Sequence, residues 1–183
     1  DLSGAKHLFT MIKSPCLVKT GKFLLDIALA IRFPIGWIVE PTLYRHFVGG
    51  ETMTKCIPTV EKLSNSKVRS ILDYSVEGTD SEKEFDAVFD EIVKTIETTA
   101  QNPNVEFAVF KPTALVFPHI LKKSGFDNVE LSEHETKGLD NFISRVDKLC
   151  QIAHDKDVKL LIDAEDVWYQ QSIDDVVVAM MKR

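Results

Sequence analysis

Three short apolar runs, each closing on a charged side chain and each followed by an amphipathic stretch, constrain this chain more than any other feature. They occupy residues 68–74 (VRSILDY), 105–110 (VEFAVF) and 158–162 (VKLLI), and they meet their charges at Asp73, Lys111 and Asp163. Runs of this length suit buried strands rather than helices. Strand alternating with helix means parallel strands joined by right-handed crossovers. Such sheets carry their chemistry at the C-terminal ends of the strands. Asp73, Lys111 and Asp163 therefore mark a candidate functional rim. A charge just past a strand is also ordinary loop composition, and its recurrence in all three runs is what favours function. At the third end Asp163 and Glu165 flank Ala164. Residues two apart on an extended chain share a face, so a metal pair is one reading of the two carboxylates.

The helices between the runs are legible as stripes. Ser81 caps a long one with Phe85, Val88, Phe89, Ile92 and Ile96 on one side. Leu139, Phe142, Ile143, Val146, Leu149, Cys150 and Ala153 form a second, and residues 170–181 begin a third. Residues 114–123 read as a short helix interrupted by Pro118, and residues 124–137 as a polar loop insertion with a helix cap near its end. Upstream, Ser14-Pro15 fits a cap followed by Pro at the first helical position. Leu17, Phe23, Leu24, Ile27, Ala28 and Ile31 then recur at helical spacing until Pro34. Pro41 sits early in a following helix edged by Leu43, Tyr44 and Phe47. Thr52 caps a stripe of Met53, Cys56, Ile57, Val60 and Leu63, in which Pro58 should bend the helix or delay its start. The expected organisation is a helical segment over 1–47 followed by a βα domain over 48–183.

Residues 23–39 are the most apolar stretch, but Asp26, Arg32, Pro34 and Gly36 break it, so it makes a poor membrane span. A packed helix is the favoured reading. A membrane-surface helix, with peripheral membrane association, is the other. The 183 residues, 44% of them hydrophobic, suffice for one domain with a core. A net charge of −6, from 22 Lys+Arg against 28 Asp+Glu, speaks against a nucleic-acid surface. Cys16, Cys56 and Cys150 are odd in number, far apart and without metal spacing. They read as small core residues in a reducing, cytoplasmic compartment. The five histidines are scattered without an i+4 partner. There is no Gly-rich phosphate loop, Walker pattern or nucleophile elbow, and Gly49-Gly50 reads as a turn. The chain opens on Asp1 without Met and stops at Arg183 inside a helical pattern, so both ends read as cut.

Four motifs, in order, carry a resemblance. Phe47-Val48-Gly49-Gly50-Glu51-Thr52 resembles the F-x-x-G-E-T that precedes the first barrel strand of proline dehydrogenases. Ile71-Leu72-Asp73-Tyr74-Ser75-Val76-Glu77-Gly78 resembles that family's first strand and loop. Phe110-Lys111-Pro112-Thr113-Ala114-Leu115 is similar to its K-x-[ST]-A-L at the second strand. Leu161-Ile162-Asp163-Ala164-Glu165, followed by Gln170 and Asp174, is similar to its third strand. The match runs over roughly residues 43–183. It implies an α/β fold in which N-terminal helices precede the first three βα units of a distorted (βα)8, TIM-like barrel, incomplete in this chain. It implies FAD at the C-terminal mouth and oxidation of L-proline to Δ1-pyrroline-5-carboxylate by hydride transfer from C5 to flavin N5, with a quinone or another electron acceptor.

By motif, Lys111 and Asp163 match the family's active-site lysine and aspartate and would serve both catalysis and cofactor binding, and Ala164 matches a residue packed against the flavin. Lys111 and Asp73 are the candidate substrate-binding residues. In a eukaryote the resemblance implies a mitochondrial location. Pro112 departs from the pattern and should end or bulge the second strand. The family's main flavin-binding strands and the paired arginines of its last helix would lie beyond residue 183, so the piece alone should be inactive without the C-terminal half. Two other classes stay open: a truncated, non-catalytic homologue acting as an interaction module, and a metal-dependent βα-barrel enzyme using Asp163 and Glu165.

Overall fold

Three serines start three of the helices by the same local means. Each presents its hydroxyl to a backbone N–H in the first turn: Ser14 to Leu17, Ser81 to Glu84 and Ser132 to Glu135. The donors they satisfy would otherwise have no partner inside the helix. The computed structural model describes residues 2–40, 44, 47–74, 80–126 and 129–183. The expected apolar edge at Pro41 and Leu43, and loop residues Ser75, Val76, Glu77 and Gly78, lie outside the described residues. The chain divides into two units, Asp1–Lys55 and Cys56–Arg183.

The first unit holds α1 (Leu2–Ile12), α2 (Pro15–Ala30) and α3 (Gly36–Val39). Pro15 occupies the first turn of α2 after the Ser14 cap, as the sequence predicts. The helix ends before Pro34: Ile31 closes it and Arg32 turns to φ 53°. The packed-helix expectation fails here. α2 has no buried residue, and Leu17, Phe23 and Leu24 are all more than half exposed. Cys16 is exposed too, rather than in a core. Its eleven-residue neighbour α1 covers too little of an apolar stripe that wraps most of the helix. No described helix is long and apolar enough to cross a membrane.

α4 (Met53–Asn65) runs across the boundary in sequence, with the Thr52 hydroxyl accepting from the Lys55 N–H at 3.3 Å. Pro58 lies inside it without delaying its start. The second unit is built on β1 (Ser70–Asp73), β2 (Val105–Phe110) and β3 (Lys159–Ile162), in the order β1-β2-β3 and parallel throughout. β1 starts later than its apolar run because the Val68 N–H closes α4, donating to the Leu63 carbonyl at 3.1 Å. β2 ends at Phe110, and Pro112, which has no donor to give a ladder, opens a 3₁₀ turn over Pro112–Ala114.

α5 (Glu82–Gln101), α6 (Pro118–Ser124), α7 (Glu133–Asp155) and α8 (Val167–Met181) complete the unit. α5 packs on β1 and β2, and α7 on α5 and β3. The core includes Ile92 and Ile96 of α5, Ala108 and Phe110 of β2, and Phe142, Val146 and Leu149 of α7. One expectation is corrected. Pro118 does not interrupt a helix; it begins one, because Phe117 before it is extended at φ −60°, ψ 124°. The helix cap expected near the end of the polar stretch 124–137 is Ser132, and α7 starts at Glu133.

A capping box fixes that start. Ser132 and Glu135 each accept from the other's backbone N–H. The Glu135 carboxylate also accepts from Lys123 of α6, and His119 stands 3.9 Å away. The bond from Lys123, then those from Ser132, hold Glu135 far below the usual carboxylate range, at about 2. A depressed folded pKa stabilises the fold above the unfolded value and is lost as pH falls through the folded one. Glu135→Gln is therefore expected to melt below the parent at pH 7. Melting curves by circular dichroism should converge as pH drops from about 4.5 to about 2. A gap that persists undiminished at pH 2 would contradict this assignment.

Candidate active site

β2 and β3 keep their register beyond their own ends. Phe107, Ala108, Val109 and Phe110 pair with Lys159, Leu160, Leu161 and Ile162. The Asp163 N–H donates to the Phe110 carbonyl at 3.1 Å. Lys111 Nζ then donates to Asp163 Oδ2 at 3.2 Å, a contact that spans 52 residues. Thr113 donates twice to Glu165, through its N–H at 2.8 Å and its hydroxyl at 2.5 Å, again across 52 residues. Side chains alternate along a strand, so Lys111 and Asp163 lie on the face of Val109 and Leu161, opposite Phe110 and Ile162. On the Lys111 face Ile71 is 52% exposed and Leu161 38%, with Val109 of the central strand buried between them, whereas the other face is covered by helices.

Hydrogen bonding to Asp163 raises the Lys111 pKa above its ordinary value. Burial pulls it back, while the charges of Asp163, Asp73 and Glu165 push it up further. Lys111 is therefore an ammonium across the neutral range. The pair is partly open to water, with the two side chains 26% and 41% exposed. It contributes about 1 kcal/mol or less to folding, so its position matters more than its contribution to stability.

The turn that follows Lys111 has its donors accounted for. Pro112 has none, Thr113 gives its N–H to Glu165, Ala114 to the Lys111 carbonyl at 3.1 Å and Leu115 to the Pro112 carbonyl at 3.0 Å. Glu165 is held in turn: its N–H donates to Gln170 Oε1 at 2.9 Å, and Gln170 Nε2 donates to Asp174 at 2.7 Å. On the helical side Arg145 donates to the Leu115 carbonyl at 3.1 Å. The same guanidinium reaches Glu82 at 2.6 Å and Asp86 at 2.7 Å and lies over the Phe85 ring. Sequence reasoning missed Arg145. Its signal was present: a cation three residues after Phe142 and just before Val146, inside an apolar stripe.

The structure brings together most of the candidates. Asp73 ends β1, is exposed, and is close enough for its charge to act on Lys111. Ala164 is exposed between Asp163 and Glu165. Asp163 and Glu165 do not converge on one point, since each already accepts from a different residue of the β2 end. Among the described residues no group of three or more His, Cys, Asp and Glu side chains is placed to hold a metal ion. Tyr169 packs against the core, while Trp168 is 47% exposed. Cys56 and Cys150 are partly buried, and burial raises the pKa of both thiols, so neither is an activated nucleophile. An apolar cleft lined by Leu139, Ile143, Val176 and Met180 lies among α7 and α8, and no rim residue lines it.

A parallel sheet with helices on one face and a lysine–aspartate pair at the C-terminal ends of adjacent strands defines a βα protein with its charged side chains gathered at the strand ends. The family model for proline dehydrogenase matches residues 56–183, and the chain belongs to the proline dehydrogenase family. It is 28% identical over 181 residues to proline dehydrogenase 1, mitochondrial, of Dictyostelium discoideum, covering 79% of this chain and 32% of that protein. It is 28% identical over 136 residues to the carbapenem antibiotics biosynthesis protein CarD of Pectobacterium carotovorum subsp. carotovorum, covering 74% of this chain and 36% of that one. Among solved structures, proline utilization A (PutA) from Bdellovibrio bacteriovorus, inactivated by N-propargylglycine, superposes with a TM-score of 0.61 at 16% identity. That match covers 76% of this chain and 15% of the PutA chain, and it bears on the fold alone. The chain spans roughly a third of the length of these two curated relatives.

Two outcomes follow from the site. Asp163→Asn removes the main cause of the raised Lys111 pKa, so Lys111 should titrate at lower pH. NMR of ¹³C-methylated lysines, with the Lys111 signal assigned by its loss in Lys111→Arg, reads this directly. Arg145→Met leaves the Leu115 carbonyl without its donor and should destabilise the fold by about 1–3 kcal/mol. Urea unfolding checks it, and an unchanged midpoint would remove Arg145 from the account of the turn.

Proposed function

We propose that this chain is the N-terminal part of an FAD-dependent enzyme that oxidises L-proline to Δ1-pyrroline-5-carboxylate. A helical segment over 1–47 precedes the first three βα units of a (βα)8 barrel over 48–183. The observation that carries this reading is the Lys111–Asp163 contact at the strand ends of a chain of this family. Three strands do not close a barrel of eight. The remaining strands, and the arginines that grip the proline carboxylate, would come from the C-terminal half, and activity needs them. The relatives' greater length supports this.

The residues present fit a flavin. Ala164 is exposed and carries nothing beyond Cβ, and Ile71 and Leu161 offer apolar surface on the open face. When bound, FAD supplies the acceptor for the hydride that leaves C5 of proline, at its N5. Lys111 brings a fixed positive charge. It favours negative charge developing at the flavin N1/C2 edge, or it holds the substrate carboxylate. Asp163 orients that ammonium and has a second oxygen with which to accept from a cationic amine or the lysine–flavin network. Asp73 adds negative charge on the same rim, suited to the substrate's ammonium. Electrons pass on to a quinone or another acceptor. The names of two relatives support a mitochondrial location in a eukaryote, and the exposed apolar side chains of α2 support peripheral membrane association.

In the complete enzyme, Lys111→Met and Asp163→Ala are each expected to lower kcat/KM for proline by about 10²–10³-fold. Proline-dependent bleaching of the flavin absorbance under anaerobic conditions measures it. Full activity in either variant would sink the reading.

A further inference from the structure

In the described contacts Glu165 touches neither Lys111 nor any other cation, yet it is the more tightly engaged of the two carboxylates after β3. It accepts the Thr113 N–H at 2.8 Å and the Thr113 hydroxyl at 2.5 Å. Its own backbone is fixed to Gln170, and Gln170 to Asp174 of α8. Thr113 lies in the one turn that leaves β2, and Lys111 is the residue from which that turn starts. Pro112 cannot donate, and its ring limits φ. The direction in which the turn departs therefore depends on what Thr113 bonds. With Thr113 docked, the β2–β3 register is carried two residues beyond Lys111, which brackets Lys111 between Phe110 and Thr113.

We propose that Glu165 is a positioning residue for Lys111: by clamping Thr113 it docks the Pro112–Ala114 turn on the end of β3 and sets where Lys111 Nζ stands against Asp163. The inference rests on the reading of Lys111 and Asp163 as the reactive pair. Glu165 touches neither substrate nor cofactor in this account. Its influence passes through the backbone of the turn. A carboxylate taking a backbone N–H and a hydroxyl together fixes two directions at once, where a lone contact would leave the turn free to swing.

The test separates position from charge. Glu165→Gln is isosteric: its Oε1 can accept the Thr113 N–H and its Nε2 can donate to the hydroxyl, so the clamp remains while the charge goes. Glu165→Ala removes both. The readout is the titration of ¹³C-methylated Lys111 in each variant, alongside thermal stability. Glu165→Ala is expected to lower the proton affinity of Lys111 at least about threefold, and Glu165→Gln to cause less than half of that shift. Equal shifts in the two variants would mean that only the charge acts, and no shift in Glu165→Ala would mean that Glu165 merely braces the fold. Either result overturns the proposal. Should Glu165→Ala not fold, Thr113→Val carries the test, because it keeps the charge and loses one of the two bonds. It should lower the Lys111 titration and Thr113→Ser should restore it, while a parental titration in Thr113→Val overturns the clamp. Proline oxidation by Lys111→Met of the complete enzyme is assayed in parallel. Lost turnover there with an unmoved titration in Glu165→Ala sinks the clamp alone. Full turnover there with a moved titration sinks the functional reading and leaves the clamp.

Discussion

The parallel register of β2 on β3 outlasts the strands, and the candidate site depends on that persistence. Backbone pairing runs to Phe110 and Ile162, and one more backbone bond, from Asp163 to Phe110, carries the alignment into the turn. Side chains take over after it. Lys111 meets Asp163 and Thr113 meets Glu165 at the same 52-residue offset. The ladder brings the partners opposite each other, and the side-chain bonds only have to fix the turn beyond it. A partly exposed ammonium–carboxylate pair would otherwise be a weak and mobile contact. Here the backbone bears the cost of alignment, and Arg145 holds the Leu115 carbonyl from the helical side.

The pleat then decides which residues face the open side. Phe110 is buried among helices, and Lys111, one residue on, faces away from them. A slip of one residue would exchange the two, burying an ammonium in an apolar core and exposing a phenylalanine. The core therefore selects the register, and the register selects the site. The strand also has to stop where it does. Pro112 provides the stop without a clash because the turn beyond it leaves no donor unmatched.

The three strand ends were legible because buried runs and their charges differ so sharply in composition. Val105–Phe110 appears as read, and Asp73, Lys111 and Asp163 fall on one rim. What was not legible depended on neighbours. The α2 stripe predicts an apolar face but says nothing of what covers it, and none of its residues is buried. Pro118 can interrupt a helix or begin one, and the extended backbone of Phe117 settles which. The sequence places a helix cap near the end of the polar stretch, and Ser132 with Glu135 supplies it. The motif resemblance ranks Asp163 as the site residue and Glu165 as supporting, but it does not say what either one meets. The pleat predicts that they point alike, and only the residues opposite them, Lys111 and Thr113, divide them.

That division sets the electrostatics of the rim. Asp73, Asp163 and Glu165 bring three carboxylates to the neighbourhood of one ammonium, and the field of all three acts to keep Lys111 protonated. Glu165 is already matched by two donors from Thr113, and one oxygen of Asp163 by Lys111. The second oxygen of Asp163 has no bond to Lys111, and the charge of Asp73 acts on the same ammonium. Under the function proposed above, that balance suits a small cation oriented by hydrogen bonding, with Lys111 as one positive centre beside it. A zwitterion with its ammonium and carboxylate a few ångströms apart matches such a pattern better than a simple anion or a simple cation would. The amino acid substrate proposed for this family member has that form.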